Sequence, residues 1–187
     1  MKKPAKAQVL TLPGLWSSGP EHWQSRWERG DDAFERVEQD EWETPRLSDW
    51  VARLDATLRG RSGPVVLAAH SAGCILAADW AQRARLTERA KVIGVLLVAP
   101  ADSERASFPL GPTGFAPLPM SVIAFPTIVV ASKNDPFVTF DRSASFAKAW
   151  GSQLHDAGMS GHLNAASGHG PWPEGRALLE HLREGRR

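Results

Sequence analysis

The chain has 187 residues, a formal net charge of +1, 42% apolar and 23% charged residues, and one cysteine. This length suits one domain over residues 1–187, which buries roughly 70% of its unfolded surface. The near-zero charge carries no footprint for nucleic acid or an anionic membrane, and lone Cys74 excludes an internal disulfide and a multi-cysteine metal site.

Gln8 to Leu12 reads as a strand, ended by Pro13-Gly14. Glu21 to Arg29 reads as a short helix with Trp23 and Trp27 on one face. Phe34 to Gln39 is a weaker strand. Leu47, Trp50, Val51, Leu54 and Leu58 fall at helical spacing, and Gly60 and Gly63 stop that helix. Val65 to Ala69 is a strand and Gly73 to Ala84 a helix. Val92 to Val98 and Thr127 to Ala131 are strands, Phe140 to Trp150 a helix, Gln153 to Asp156 a short strand, and Glu174 to Leu182 a C-terminal helix. The best strands are continuous Val/Ile/Leu runs alternating with helices. That pattern predicts an α/β fold: a doubly wound, mostly parallel sheet with helices on both faces. Residues 101–126 break the alternation. They are rich in Pro and Gly, with Phe108, Phe115 and Phe125 interspersed, as in a lid or a pocket wall, or in a tolerated surface insertion. The chain contains eight tryptophans and no tyrosine, which points to core and pocket packing. No signal-peptide core and no bilayer-length apolar run is present, so a cytoplasmic location without membrane partners is the expectation.

The chemistry concentrates at Ala69-His70-Ser71-Ala72-Gly73. An apolar strand stops at a serine between small residues and a helix begins at once, the pattern of a nucleophile elbow. The usual frame is Gly-x-Ser-x-Gly; Ala69 stands at the first glycine, and the same string also occurs at ordinary strand-to-helix turns. A serine hydroxyl needs a base, and the base an orienting acid. On doubly wound hydrolase folds the chain order is Ser, acid, His. Ser71, Asp135 and His162 follow that order, each in a loop after a strand's C-terminal end, where open α/β sheets bind ligands.

Asp102 is the runner-up acid, otherwise a turn or cap residue, and His169, beside Pro171-Trp172-Pro173, is the runner-up base, otherwise structural. His70 is expected to pack beside the site, Asp141 to start a helix, and His155 and His181 to be structural or exposed. Cys74 reads as a small packed residue rather than a rival nucleophile. The backbone N–H groups of Ala72 and Leu15 are the expected oxyanion donors. Trp16, His22, Phe137 and Trp172 are the expected substrate contacts, although His22 also reads as a structural histidine. No metal-ligand spacing and no phosphate loop occurs, so no cofactor and no metal are expected.

Several blocks together resemble a family. They are Leu12-Pro13-Gly14 with His22-Trp23-Gln24 and Trp27-Glu28; the elbow; Phe115-Ala116-Pro117-Leu118-Pro119; Val129-Val130-Ala131-Ser132 with Asp135-Pro136; and Gly161-His162-Leu163-Asn164 through Ser167-Gly168-His169-Gly170-Pro171-Trp172-Pro173-Glu174-Gly175. From about Gln8 to the C-terminal helix the chain resembles the small α/β-hydrolase family of retinoblastoma-binding protein nine and the bacterial YdeN-like proteins. The resemblance implies a compact hydrolase fold without a large cap domain and a triad of Ser71, Asp135 and His162, favouring His162 over His169. Retinoblastoma-protein binding does not carry over. It needs Leu-x-Cys-x-Glu, and Ala72 and Leu76 flank Cys74 at those positions. The function expected is hydrolysis of small acyl compounds, foremost carboxylic esters, through an acyl-enzyme. Amide or peptide cleavage by the same triad is an alternative, as is a binding module that kept the fold and lost catalysis.

Overall fold

Alternating side chains of a strand point to opposite faces, so a run such as Val65-Val66-Leu67-Ala68-Ala69 is buried only if both faces of its sheet are covered. A computed structural model describing residues 6–185 has that arrangement. Strands β1 (Gln8–Leu12), β2 (Phe34–Arg36), β3 (Val65–His70), β4 (Val92–Val98), β5 (Thr127–Ala131) and β6 (Gln153–Asp156) form one sheet in the order β2-β1-β3-β4-β5-β6. All its pairings are parallel.

One face carries Leu10, Leu67, Leu97 and Val129 and is covered by helices α2 (Leu47–Arg59), α3 (Ala72–Arg83) and α5 (Phe140–Trp150). The other carries Val9, Val66, Leu96 and Val130 under α1 (Trp23–Gly30) and α6 (Pro173–Arg183). Helix α2 shows the cause. Leu47, Trp50, Leu54 and Leu58 make one buried stripe, each worth roughly 1.5–3 kcal/mol on leaving water. Six of the eight tryptophans, Trp23, Trp27, Trp50, Trp80, Trp150 and Trp172, are buried.

The differences from expectation are local. Strand β2 stops at Arg36 rather than Gln39 because its partner β1 ends at Leu12 and Pro13 has no N–H; only the Val37 N–H still reaches Thr11 O, at 3.1 Å. Helix α1 starts at Trp23 rather than Glu21 because the His22 imidazole caps it, accepting from Gln24 N–H at 3.2 Å. Two single turns, α4 (Leu86–Arg89) and the 3-10 turn Ala165–Ser167, are too short to show a periodic pattern.

Residues 101–126 are not a surface insertion. Phe115, Leu118 and Ile123 are buried in the core. Ser103 Oγ donates to Phe115 O at 2.6 Å, and Leu47 N–H donates to Thr113 O at 2.9 Å. The Trp150 indole donates to Pro119 O at 2.7 Å.

The chain steps from β1 outward to β2, then returns to place β3 on the other side of β1. That reversal opens a crevice at the C-terminal ends of β1 and β3.

Candidate active site

Strand β3 ends in the crevice, and the next residue, Ser71, has φ 54° and ψ −120°. A non-glycine residue in this region stores about 1–3 kcal/mol and persists only where its surroundings enforce it. They do so here: Ser71 N–H donates to Val98 O at 3.0 Å, and Ser71 O accepts from Cys74 and Ala101 N–H at 3.0 and 3.3 Å. The neighbours must be small because the loop after β1 presses on the turn. A Cβ at Gly14 would lie 2.8 Å from Ser71 Cβ, and one at Gly73 would overlap the carbonyls of Leu12 and Pro13. Ala69, the departure from the glycine frame, is accommodated inside β3, fully buried.

The Ala72 N–H lies in the first turn of α3, where no carbonyl of its own helix can reach it. In the facing loop, Trp16 N–H is taken by Trp42 O (2.9 Å) and Ser17 N–H by Gly14 O (3.2 Å). Among the described backbone bonds of that loop, none takes the Leu15 N–H.

His162 Nδ1 and Asp135 Oδ2 are 2.8 Å apart, with the carboxylate fully buried. The other Asp135 oxygen accepts from Phe137 N–H at 2.8 Å. A buried carboxylate so placed requires the imidazole proton on Nδ1, which leaves the Nε2 lone pair free to take a proton.

The loop that carries His162 is clamped over three consecutive residues. Asn134 Oδ1 accepts from Gly161 N–H at 2.8 Å, His70 Nε2–H donates to His162 O at 2.9 Å, and the Trp23 indole donates to Leu163 O at 3.0 Å. Ser132 Oγ holds Asn134 Oδ1 in turn, at 2.8 Å. None of Asn134, Ser132, His70 or Trp23 carried this role in the sequence. The one local signal was Ser132-Lys133-Asn134 after a strand, a cluster typical of side-chain-stabilised turns.

The rivals have other partners. Asp102 is held 3.4 Å from the Arg142 guanidinium, and His169 bonds Ser167 Oγ at 3.2 Å. Cys74 is fully buried, which pushes its thiol well above the ordinary range and leaves it unreactive.

Ser71, His162 and His22 line one cavity of about 240 Å3, together with Gly14, Leu15, Ala72 and the 101–126 segment through Ala101, Asp102 and Phe108. Trp16 and Phe137 form an apolar rim, 61% and 53% exposed. The Phe137 ring meets His162 edge-on at 4.6 Å. Trp172 is not at the cavity. It has φ 40°, stacks on Trp27 at 5.9 Å and abuts Trp23 at 5.3 Å, so its contribution is to the core beneath the site. Its apolar surface is satisfied by two indoles there, whereas a loop position in sequence gave no indication of direction.

Three histidines form a ladder: the His22 ring stands 4.7 Å from His70, and His70 4.8 Å from His162. Burial, then the Arg36 charge and His162, hold the His22 pKa down to about 3. Burial does the same to His70, with His22 and His162 adding to it. Both rings are therefore neutral at ordinary pH. Among the described residues, no cluster of three or more His, Cys, Asp or Glu could hold a metal ion, and no helix is long and apolar enough to cross a membrane.

The model of a family described as serine hydrolase matches residues 9–181. No curated protein matches the chain. Among solved structures, a YdeN-like hydrolase of Pectobacterium atrosepticum is 35% identical over 97% of this chain and 94% of its own, with a TM-score of 0.82. The ydeN gene product of B. subtilis is 21% identical, with 95% and 99% covered and a TM-score of 0.77. An esterase of Thermogutta terrifontis, 16% identical, covers 97% and 91% at a TM-score of 0.68. These last two likenesses speak for the fold.

Proposed function

Because the chain belongs to the serine hydrolase family, we propose that it hydrolyses small carboxylic esters through a Ser71–His162–Asp135 triad. The observation that carries this reading is the 2.8 Å contact of His162 Nδ1 with a buried Asp135 carboxylate, His162 lining the same cavity as the strained Ser71. His162 Nε2 takes the Ser71 proton as Oγ attacks the ester carbonyl. The N–H groups of Ala72 and Leu15 hold the oxyanion. Collapse of the tetrahedral intermediate passes the proton from Nε2 to the leaving alkoxide and leaves an acyl-Ser71. A water, deprotonated by His162, then releases the acid and restores the serine. Asp135 keeps the imidazole in the productive tautomer and balances the imidazolium at each step. The apolar rim favours an uncharged acyl substrate, and the likeness in fold to an esterase of Thermogutta terrifontis is in keeping with an ester.

The test is labelling by a fluorophosphonate probe, followed by turnover of an ester and amide panel. Ser71→Ala abolishes both labelling and turnover with an unchanged melting temperature, and His162→Ala lowers both by at least about 1,000-fold. Undiminished turnover in Ser71→Ala excludes the reading. Amides cleaved faster than esters move the assignment to an amidase.

A further inference from the structure

The loop that carries the Leu15 N–H is a strained turn held at both ends. Ser17 N–H donates to Gly14 O at 3.2 Å and closes a four-residue turn with Leu15 and Trp16 at its centre. Trp16 and Ser17 have φ of 62° and 61°, a left-handed conformation that residues with a side chain keep only where their surroundings enforce it. All four residues of the turn line the cavity. At one end Gly14 is pressed on Ser71, where an added Cβ would lie 2.8 Å from Ser71 Cβ. At the other end Ser17 is held by Arg36, the last residue of β2.

The Arg36 guanidinium donates five hydrogen bonds, as many as its N–H groups allow. Nη1 meets Ser17 Oγ and Ser18 O, each at 3.1 Å. Nη2 meets Ser25 Oγ and Glu28 Oε2, the latter at 2.9 Å, and Nε meets Glu28 Oε1 at 3.2 Å. Glu28 also accepts from the Thr11 hydroxyl of β1, and Ser25 Oγ donates to Ser18 O at 2.8 Å. The Arg36 and Glu28 side chains are only 15% and 18% exposed. Apolar side chains of similar volume often serve stability as well as such a pair does, so stability does not account for it. Orientation does: one planar fork ties the turn to β1, β2 and α1 together. A lysine ammonium, a point charge with three donors, cannot make that set of contacts.

We propose that Arg36 is a positioning residue for the oxyanion hole: through Ser17 and Ser18 it holds the 14–17 turn so that the Leu15 N–H meets the oxygen that becomes negative during attack by Ser71. The proposal rests on the serine-hydrolase reading and on the donor assigned there to Leu15. Arg36→Lys keeps the charge beside Glu28 and withdraws the fork. With p-nitrophenyl acetate, kcat and kcat/KM fall together by about 10- to 100-fold while KM stays within about twofold, the mark of an interaction made in the transition state. Binding of 1,1,1-trifluorohexan-2-one weakens by a similar factor: Ser71 Oγ adds to its carbonyl, His162 takes the serine proton, and the carbonyl oxygen becomes the oxyanion. Arg183→Lys is the control. That guanidinium is fully buried and donates to Ala7 O before β1, at the opposite end of the sheet, so its loss lowers the urea midpoint and leaves kcat unchanged. Ser17→Ala removes one acceptor of the fork and lowers kcat about threefold to tenfold, with little further loss in the Arg36→Lys background.

An undiminished kcat in Arg36→Lys, an equal fall in Arg183→Lys, or additive losses from Arg36→Lys and Ser17→Ala overturns the proposal and leaves Arg36 a structural ion pair. So does a loss confined to KM with the trifluoromethyl ketone bound as before. If Arg36→Lys does not fold, Ser17→Ala decides alone, and an undiminished kcat there is the overturning result. A second measurement needs no turnover. The 15N order parameter of the Leu15 amide falls from about 0.85 towards about 0.6 in Arg36→Lys and holds in Arg183→Lys. An order parameter that holds in both variants also overturns the assignment. If the wild-type protein is neither labelled by a fluorophosphonate nor active on the ester, the hydrolase reading fails, while the amide measurement still decides whether Arg36 sets the turn.

Discussion

At the scale of single residues, the site depends on histidines kept neutral. His22 and His70 are buried beside each other, and the Arg36 charge adds to the cost of a proton on His22. This has a stability consequence of definite sign. An unfolded histidine takes up a proton near pH 6.5, whereas folded His22 does so only near 3, so the unfolded chain binds more protons between those values. Stability is therefore flat above pH 7 and falls on acidification through 6.5 towards 3. Each such histidine contributes a slope of about 1.4 kcal/mol per pH unit. Between pH 6 and 5, above the carboxylate range, urea unfolding reads this slope directly. His22→Asn flattens it by one histidine's share. An identical slope in that variant means that His22 is protonated in the native state at these pH values.

At the scale of elements, the elbow is a contact between two strand ends. Gly73 lets the start of α3 lie against the carbonyls of Leu12 and Pro13, so the nucleophile and the loop carrying Leu15 are positioned by one close approach. Gly73→Ala drives a methyl into backbone, which cannot rotate away. It costs about 1–3 kcal/mol by urea midpoint and displaces Ser71, so probe labelling falls as well. Ala69→Gly restores the usual frame yet gains nothing: it removes a buried methyl and loosens a central strand, at about 1 kcal/mol, with labelling retained. Equal losses from the two substitutions would show that the Gly73 contact is not special.

The strands and the elbow are legible in the chain because each is written in adjacent residues, and Ser71, Asp135 and His162 stand out as candidates because each follows the end of such a strand. The Asn134, His70 and Trp23 clamps on the His162 loop are not, because each joins positions far apart in sequence. The His70 bond to His162 O, across ninety-two positions, has no local signature.

At the scale of the whole molecule, tryptophan is used in two ways that sequence alone does not separate. Trp16 and Trp172 both stand in Pro- and Gly-containing loops, and both have positive φ. Trp16 projects to the cavity rim, 61% exposed, whereas Trp172 is buried between α1 and α6 against Trp23 and Trp27. Trp23 in turn holds Leu163 O beside the catalytic candidate His162. Trp172→Ala therefore acts through the body of the protein, losing about 3–5 kcal/mol of stability for an indole cavity. Its kcat falls with it as the Trp23 clamp relaxes, whichever ester is offered. Trp16→Ala leaves the urea midpoint within about 0.5 kcal/mol and raises KM, most for esters long enough to lie across the rim. The two variants thus separate along different axes, stability against kcat in one and KM against chain length in the other. Should Trp172→Ala instead alter KM with chain length at unchanged stability, its indole contacts substrate and the core packing between α1 and α6 opens in solution.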